Sequence, residues 1–149
     1  YNTRDSIPPP QIEVVESHKQ SLHARWQPGT RKAYSNPNYI VAGYLIEKFS
    51  GIPFPEYMYT HLLEPLGMSQ SGYHFTPPQH TPLAQGYRKN GKKLFPLPFT
   101  RINGSPAGDF CTNAQDMALY LQLMLNQDSS IGSVEEVNRI ESPHTSIAA

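Results

Sequence analysis

The side chains of this sequence that could most readily take part in catalysis are those of a tyrosine and an asparagine, Tyr34 and Asn36, with Ser35 between them. A tyrosine accepts a proton only as phenolate, and the ordinary tyrosine pKa of about 10 lies roughly three units above neutrality. Keeping a phenolate at neutral pH requires about 4 kcal/mol of favourable surroundings, for which a nearby ammonium group is the natural source. Beside such a cation, Tyr34 could be a general base that takes the proton from a nucleophile, or part of a shared proton relay.

The asparagine two residues later suits the same chemistry. Its amide donates and accepts hydrogen bonds at once, so Asn36 could hold a substrate carbonyl and a lysine together. A simpler interpretation competes with this one. Asn36 is also a good helix N-cap before Pro37, and Tyr34 could be a half-buried packing residue. The two interpretations of Asn36 are compatible, since one side chain can serve as both cap and ligand.

Composition narrows the class of protein. The 149 residues suggest one domain, and 38% hydrophobic residues with fifteen prolines indicate a modest core and many loops. The net charge of zero argues against a nucleic-acid partner and gives little reason to expect an anionic membrane surface, although membrane contact stays unknown. The single cysteine, Cys111, excludes an internal disulfide and is expected to be a small buried hydrophobe.

The elements before residue 65 are predicted to be helical. A short helix is expected from Gln11 to about His23, and a second one from Phe54 to Leu63. The strongest pattern is that of Asn36–Ser50, whose Ile40, Tyr44 and Leu45 should face the core. Gly51 should end this helix in a left-handed conformation.

Later elements mix strands and helices. Asn90-Gly91 predicts a β-hairpin with strands near Ala84–Arg88 and Lys93–Leu97. Thr112 and Gln115 resemble a capping box for a helix whose core stripe is Met117, Leu121, Met124 and Leu125. A last helix, about Val134 to Arg139, should be capped by Ser133. The expected fold is α+β, mainly helical, with a short β-hairpin.

Several stretches in a fixed order carry a family resemblance: Pro28-Gly29, Tyr34-Ser35-Asn36, and then the segments GYLIEKFSG, LLEPLGM, LAQGY and SPAGDFCTNAQDMALYLQLML. In this order they resemble the serine β-lactamase and penicillin-binding-protein-like hydrolases, in the branch of class C β-lactamases, DD-peptidases and esterases. The likeness runs from about Trp26 to the C-terminus. A Tyr-x-Asn triplet alone is common by chance, whereas the ordered set is far more specific.

The resemblance implies a fragment of the β-lactamase/transpeptidase-like fold, with Tyr34 and Asn36 as its catalytic Tyr-x-Asn motif. Such enzymes also carry Ser-x-x-Lys, with the nucleophilic serine, and a Lys-Thr-Gly-like strand. Neither occurs in this sequence. They are expected before and after it, so that the remainder of a parent chain is the chief partner and this chain alone is inactive.

The same resemblance implies a small-molecule or peptide substrate, namely a β-lactam, a peptidoglycan peptide or an ester, with no cofactor and no metal, in the periplasm or outside the cell. Ser35 and Ser105 are poor candidate nucleophiles because neither has a lysine three residues later. His74 and His80 are interpreted as loop residues without a third metal ligand, and Asn103-Gly104-Ser105 as a chance match to a glycosylation pattern.

One departure from the family pattern lies at Asp109, where relatives usually have a glycine. A left-handed turn there would be strained, although aspartate tolerates it better than most residues. Two alternatives to the hydrolase stay open. One is a non-catalytic helical binding domain of the same lineage, and the other is an unrelated α+β domain.

Overall fold

The computed structural model describes residues 2–3, 9–27, 29–73, 83–98, 101–102, 105–126 and 131–142. Its α-helices in these ranges are α1 (Gln11–His18), α2 (Asn36–Ser50), α3 (Phe54–Met58), α4 (Ala114–Asn126) and α5 (Val134–Glu141). A 3-10 turn follows α1 at Lys19–Ser21, a π-helical turn follows α3 at Tyr59–Leu63, and another 3-10 turn lies at Ser105–Ala107. The mainly helical α+β fold predicted from the sequence is confirmed.

The strands form three separate antiparallel pairs within the described residues. They are β1 (Asn2–Thr3) with β5 (Arg101–Ile102), β2 (Gly72–Tyr73) with β6 (Phe110–Cys111), and β3 (Tyr87–Asn90) with β4 (Lys93–Pro96). The β3–β4 pair is the hairpin predicted from Asn90-Gly91, with Gly91 at φ 59°. Its first strand begins three residues later than expected.

Helix α2 is the central element and contacts α1, α3 and the Ser105–Ala107 turn. Its buried residues are Gly43, Tyr44 and Glu47. The predicted core face is therefore right for Tyr44 but wrong for Leu45, which is 43% exposed. The apolar positions of this helix span more than one face, and α1 with the Ser105–Ala107 turn packs on only one of them.

The two ends of α2 follow different rules. Gly51 ends it at φ 73° and donates its N–H to the Glu47 carbonyl, as predicted. At the start, the cap is Ser35 and not Asn36, so that prediction is wrong by one residue. Ser35 is extended, at φ −153°, and its carbonyl accepts the N–H of Asn38, which places Asn36 in the first helical position.

The cap of α4 also differs from the prediction. The Asn113 side chain, not that of Thr112, accepts a hydrogen bond from the Asp116 N–H at 2.9 Å. The Thr112 hydroxyl instead lies 2.7 Å from that of Ser71, which donates to the buried Asp116 carboxylate at 2.8 Å. Because the Thr112 hydroxyl contacts Ser71, a residue distant in the sequence, Thr112 does not cap α4 as predicted.

The apolar stripe of α4 is only partly right. Met117 and Met124 are half-buried, but Leu121 and Leu125 are exposed and Leu123 is the buried leucine. The predicted Ser133 cap of α5 is confirmed, with Glu136 completing a capping box, and this helix continues to Glu141.

The remaining local predictions have mixed outcomes. The first helix ends at His18 and becomes a 3-10 turn, so its expected end near His23 is too late. The helical stretch Phe54–Leu63 has the predicted extent, although its second half is π-helical. Asp109 adopts φ 68°, so the left-handed turn that would strain most side chains is present at this aspartate. His74, His80 and Asn103-Gly104 lie outside the described residues.

The core is modest, as composition indicated. Its buried apolar side chains, among the described residues, are Val15, Tyr44, Phe54, Leu63, Met68, Leu123 and Val137. Tyr73 joins this core through edge-on packing against Phe54 at 5.1 Å and against Phe110 at 5.2 Å. No helix in the described ranges has both the length and the apolar character needed to cross a membrane.

Candidate active site at the start of helix α2

Tyr34 occupies the end of an extended segment that leads into α2. Its side chain is 87% exposed, so the packing interpretation of this tyrosine does not fit the structure of this chain. An exposed aromatic ring of this size, just before the first turn of a long helix, is available to a ligand or to another part of the protein.

Two open grooves meet at this tyrosine. The Trp26 groove, of about 750 Å³, lies between residues 21–26 and the start of α2, and Arg25, Trp26 and Arg31 are among its lining residues. The Tyr39 groove, of about 480 Å³, includes Lys32 and Tyr39 in its lining. The grooves share four lining residues, which are Ala33, Tyr34, Ser35 and Asn38. Tyr34 therefore stands on the wall between them.

Asn36 lies in the first turn of α2 and is exposed. Its side chain makes no hydrogen bond with any described residue, and it lines neither groove. Asn38 lines both, and accepts a hydrogen bond from the Ser35 hydroxyl at 3.2 Å. Asn38 was not predicted to lie at the site, because its place three residues after the cap is apparent only once Ser35 is known to be that cap.

The grooves are electropositive. Arg25, Arg31 and Lys32 line them, and no carboxylate does so among the described residues. The Arg31 guanidinium lies 5.5 Å from the centre of the Trp26 ring, in a cation–π contact. Three cations lining the two grooves favour an anionic ligand.

The Glu47 side chain, in the C-terminal half of α2, joins this helix to its neighbours. Glu47 is buried, and each of its carboxylate oxygens accepts one backbone N–H: Ile12 at 2.8 Å and Phe54 at 2.9 Å. These N–H groups lie in the first turns of α1 and α3, which have no intrahelical partner for them. One side chain thus caps two other helices and ties both to α2.

A second polar contact joins α1 to α2. The Tyr44 hydroxyl donates to Glu16 at 2.8 Å, Lys48 donates to the Tyr44 hydroxyl at 3.1 Å, and Lys19 pairs with Glu16 at 2.9 Å. The hydrogen bond from Lys19 lowers the pKa of the Glu16 carboxyl below its usual value, and the one from Tyr44 adds to this effect.

Close packing holds the middle of α2. A Cβ at Gly43 would collide with Cγ of Pro106, so only glycine allows the Ser105–Ala107 turn to lie this near. Ser105, one of the two serines weighed as a nucleophile, is 1% exposed and cannot reach a substrate in this conformation.

Cys111 lies in β6 and is half-buried rather than fully buried. Burial raises the pKa of its thiol, and the charge of Asp109 raises it further. A thiol in such surroundings is poorly ionised at neutral pH and is a weak nucleophile.

Comparison with known proteins shows the family. The beta-lactamase family model matches residues 13–146. A Bacillus subtilis protein that bears the name penicillin-binding protein PbpX is 30% identical, over 80% of this chain and 30% of its own length. A Salmonella heidelberg protein named as a D-alanyl-D-alanine carboxypeptidase is 30% identical, over 68% of this chain and 28% of its own length. The chain therefore spans about a third of the length of these relatives.

Solved structures agree on the fold. The octameric penicillin-binding protein homologue of Pyrococcus abyssi superimposes with a TM-score of 0.72 and 30% identity, covering 89% of this chain and 30% of that one. A penicillin-binding protein of Bacillus halodurans gives a TM-score of 0.72 at 21% identity, over 94% of this chain and 45% of that one. This chain belongs to the beta-lactamase family, the group of hydrolases that includes the serine β-lactamases and the penicillin-binding-protein-like enzymes.

Proposed function

We propose that this chain forms the Tyr-x-Asn wall of a serine hydrolase that transfers the acyl group of a β-lactam, a peptide or an ester. The single observation that carries the proposal is the placement of Tyr34, almost fully exposed on the wall between two electropositive grooves. A purely structural tyrosine in this position would be expected to bury its ring.

Family membership supports the same class of reaction. Two relatives, each 30% identical to this chain, are named as a penicillin-binding protein and as a D-alanyl-D-alanine carboxypeptidase. Peptides ending in D-alanine, and the β-lactams that resemble them, are therefore the first substrates to try. A hydrolase of such substrates belongs in the periplasm or outside the cell, where peptidoglycan peptides occur.

The residues of this chain would divide the chemistry between them. Tyr34 takes the proton of the attacking serine hydroxyl and returns it to the leaving group. Asn36 donates its amide N–H to the substrate carbonyl. The serine, its lysine and the strand that stabilises the oxyanion come from the remainder of the parent chain. No cofactor or metal takes part in these steps.

This division predicts that the 149-residue chain alone is inactive. Without a nucleophile the covalent route does not exist, and each lost oxyanion donor costs roughly 10²–10³ in rate.

The test is covalent labelling of the full-length gene product by a fluorescent penicillin. A labelled band that survives denaturation is expected from the full-length protein, and none from the 149-residue chain under the same conditions. Labelling of the isolated chain would contradict the proposal that the nucleophilic serine lies outside these 149 residues. A folded full-length protein that takes no label and hydrolyses neither a D-alanyl peptide nor an ester would instead support a non-catalytic binding domain of the same lineage.

A further inference from the structure

The part of the chain that surrounds Tyr34 carries charges of one sign. Residues 17–46 contain four of the twelve basic residues of the sequence and none of the twelve acidic ones. Two of these basic residues, Arg25 and Arg31, line the Trp26 groove. Among the described residues, no carboxylate lines this groove or forms an ion pair with either arginine. Both positive charges are therefore available to a bound ligand.

A short turn places Arg31 against Trp26. The N–H and the hydroxyl of Thr30 both donate to the Gln27 carbonyl, at 3.2 and 2.7 Å, and Gly29 has φ 79°. The guanidinium of Arg31 then lies 5.5 Å from the centre of the Trp26 ring. This contact restricts the arginine side chain and leaves its N–H groups for a carboxylate, whose two oxygens match the guanidinium fork.

The Trp26 groove has the size and the lining of a small-molecule site. Its volume of about 750 Å³ lies within the roughly 300–1,000 Å³ that is usual for ligand pockets. Apolar side chains line it together with the arginines, and Leu22, Trp26 and Val41 are among them. Such a lining suits a ligand with an apolar body and an anionic group.

The groove reaches the side chain that is proposed to transfer the proton. Tyr34 lines the Trp26 groove and also the Tyr39 groove. Because acyl transfer requires the substrate to lie at Tyr34, the remainder of the parent chain has to leave this side of the tyrosine open. A substrate that is cleaved beside Tyr34 would extend from it into both grooves.

The two grooves differ in size and in charge. The Tyr39 groove is the smaller one, at about 480 Å³, and Lys32 is its cationic lining residue. The leaving residue of a D-alanyl peptide is also small and carries one carboxylate, whereas the acyl part of such a peptide is longer. The larger Trp26 groove with its two arginines therefore fits an acyl part that carries an anionic group of its own.

We propose that the Trp26 groove binds a carboxylate on the acyl part of the substrate, and that Arg25 and Arg31 donate hydrogen bonds to it. This proposal rests on the acyl-transfer function proposed above and names its substrate class, which is acyl donors with an anionic side group. The two arginines set the specificity and take no part in the proton transfer.

Two penicillins that differ by one carboxylate test this specificity. Benzylpenicillin has a neutral acyl side chain, and its α-carboxy derivative has the same side chain with a carboxylate. Competition with labelling by a fluorescent penicillin gives the second-order acylation constant of the full-length gene product for each compound. The α-carboxy compound should react about 10-fold faster or more, because it alone forms charge-assisted hydrogen bonds with the arginines. Raising the salt from about 0.1 M to 1 M should reduce this preference.

Variants connect the preference to the groove. Arg25→Gln with Arg31→Gln should reduce it to about 1-fold, mainly by slowing the α-carboxy compound. Arg31→Lys keeps the charge without the planar fork and should lose part of the preference. Arg88→Gln with Lys89→Gln is the matched control, since it removes the same charge from an exposed strand outside both grooves and should keep the preference.

The outcomes separate this proposal from the acyl-transfer function. Labelling with equal constants for the two penicillins, faster reaction of benzylpenicillin, or a preference that both glutamine pairs change alike would overturn the specificity and leave the acyl-transfer function standing. A folded full-length protein that reacts with neither penicillin is given p-nitrophenyl hexanoate and mono-p-nitrophenyl adipate, esters of equal chain length that also differ by one carboxylate. The same preference and the same variant effects are expected with this pair, and their absence would overturn the specificity. Hydrolysis of neither ester would refute the acyl-transfer function and this proposal with it.

Discussion

The packed stretch Gly43–Glu47 of helix α2 and the start of the helix have opposite environments. In the packed stretch Glu47 is buried and caps two neighbouring helices, and a Cβ at Gly43 would collide with Pro106. At its N-terminal end Tyr34 and Asn36 are exposed, and neither side chain is held by a hydrogen bond to a described residue.

This contrast shows how one rigid element can separate stability from chemistry. A site residue works only if its position is reproducible to within about half an ångström. Tight packing of Gly43–Glu47 supplies that precision, and the start of the helix keeps its polar groups available for a substrate. Mutations at the start of α2 should therefore change reaction rates, and mutations in the packed stretch should change stability.

The largest effect is expected at the exposed end. In the full-length gene product, Tyr34→Phe should slow acylation by roughly 10²–10⁴-fold, because it removes the proton-transfer group and little else. Single-turnover labelling with a fluorescent penicillin measures this rate. Ser35→Ala is the matched control and should change the rate far less. Equal losses in the two variants would refute the role of Tyr34. Its exposed ring predicts unchanged stability, within about 0.5 kcal/mol.

Glu47→Ala should produce the largest loss of stability. It leaves two helix-terminal N–H groups without their charged acceptor, at about 1.5–3 kcal/mol for each charge-assisted bond, so a total of about 3 kcal/mol or more is expected. Urea unfolding followed by circular dichroism measures this loss. Glu47→Gln keeps one acceptor oxygen and should lose about half as much. A loss below about 1 kcal/mol in Glu47→Ala would show that α1 and α3 are capped in some other way.

Gly43→Ala should be next in size. The new methyl group collides with Pro106, and overpacking of this kind costs about 1–3 kcal/mol, against a gain of about 1 kcal/mol in helix propensity. Gly86→Ala is the control, because a Cβ there meets only Leu97 at 3.9 Å. Thermal unfolding of the pair separates the collision from the glycine effect. A more stable Gly43→Ala protein would mean that the turn moves away without cost.

The smallest effect concerns pH and the Glu16 carboxylate. Hydrogen bonds from Lys19 and Tyr44 lower its pKa below the usual 4.5, so its stabilising contribution is complete above that value. The contribution is lost as the pH falls through the lower pKa of the folded protein. Glu16→Gln should therefore be less stable than the parent at about pH 6, and this difference should shrink as the pH falls below 4.5 and through the lowered pKa of the folded protein. Urea unfolding at a series of pH values tests this, and a difference that does not shrink in acid would contradict it.

Local sequence rules predicted those features that depend on neighbouring residues alone. Gly51 adopts its left-handed conformation, and Asn90-Gly91 forms the hairpin turn. The Ser133 cap with Glu136 is likewise complete within one helical turn. In each case the interacting groups lie within four residues, so no distant partner had to be known. The family resemblance, which indicated Tyr34 and Asn36 as candidate site residues, also followed from the order of short segments along the sequence.

Only the tertiary structure decided which face of each helix is buried and which polar side chain finds a distant partner. Leu45 and Leu125 fit the helical pattern but remain 43% and 82% exposed. Glu47, a charged residue that sequence rules place at the surface, is buried because two N–H groups from other helices converge on it. The exposure of Tyr34 between two grooves has the same origin, because it depends on where residues 21–26 lie relative to α2. Such contacts join residues far apart in the sequence, and a local pattern contains no information about them.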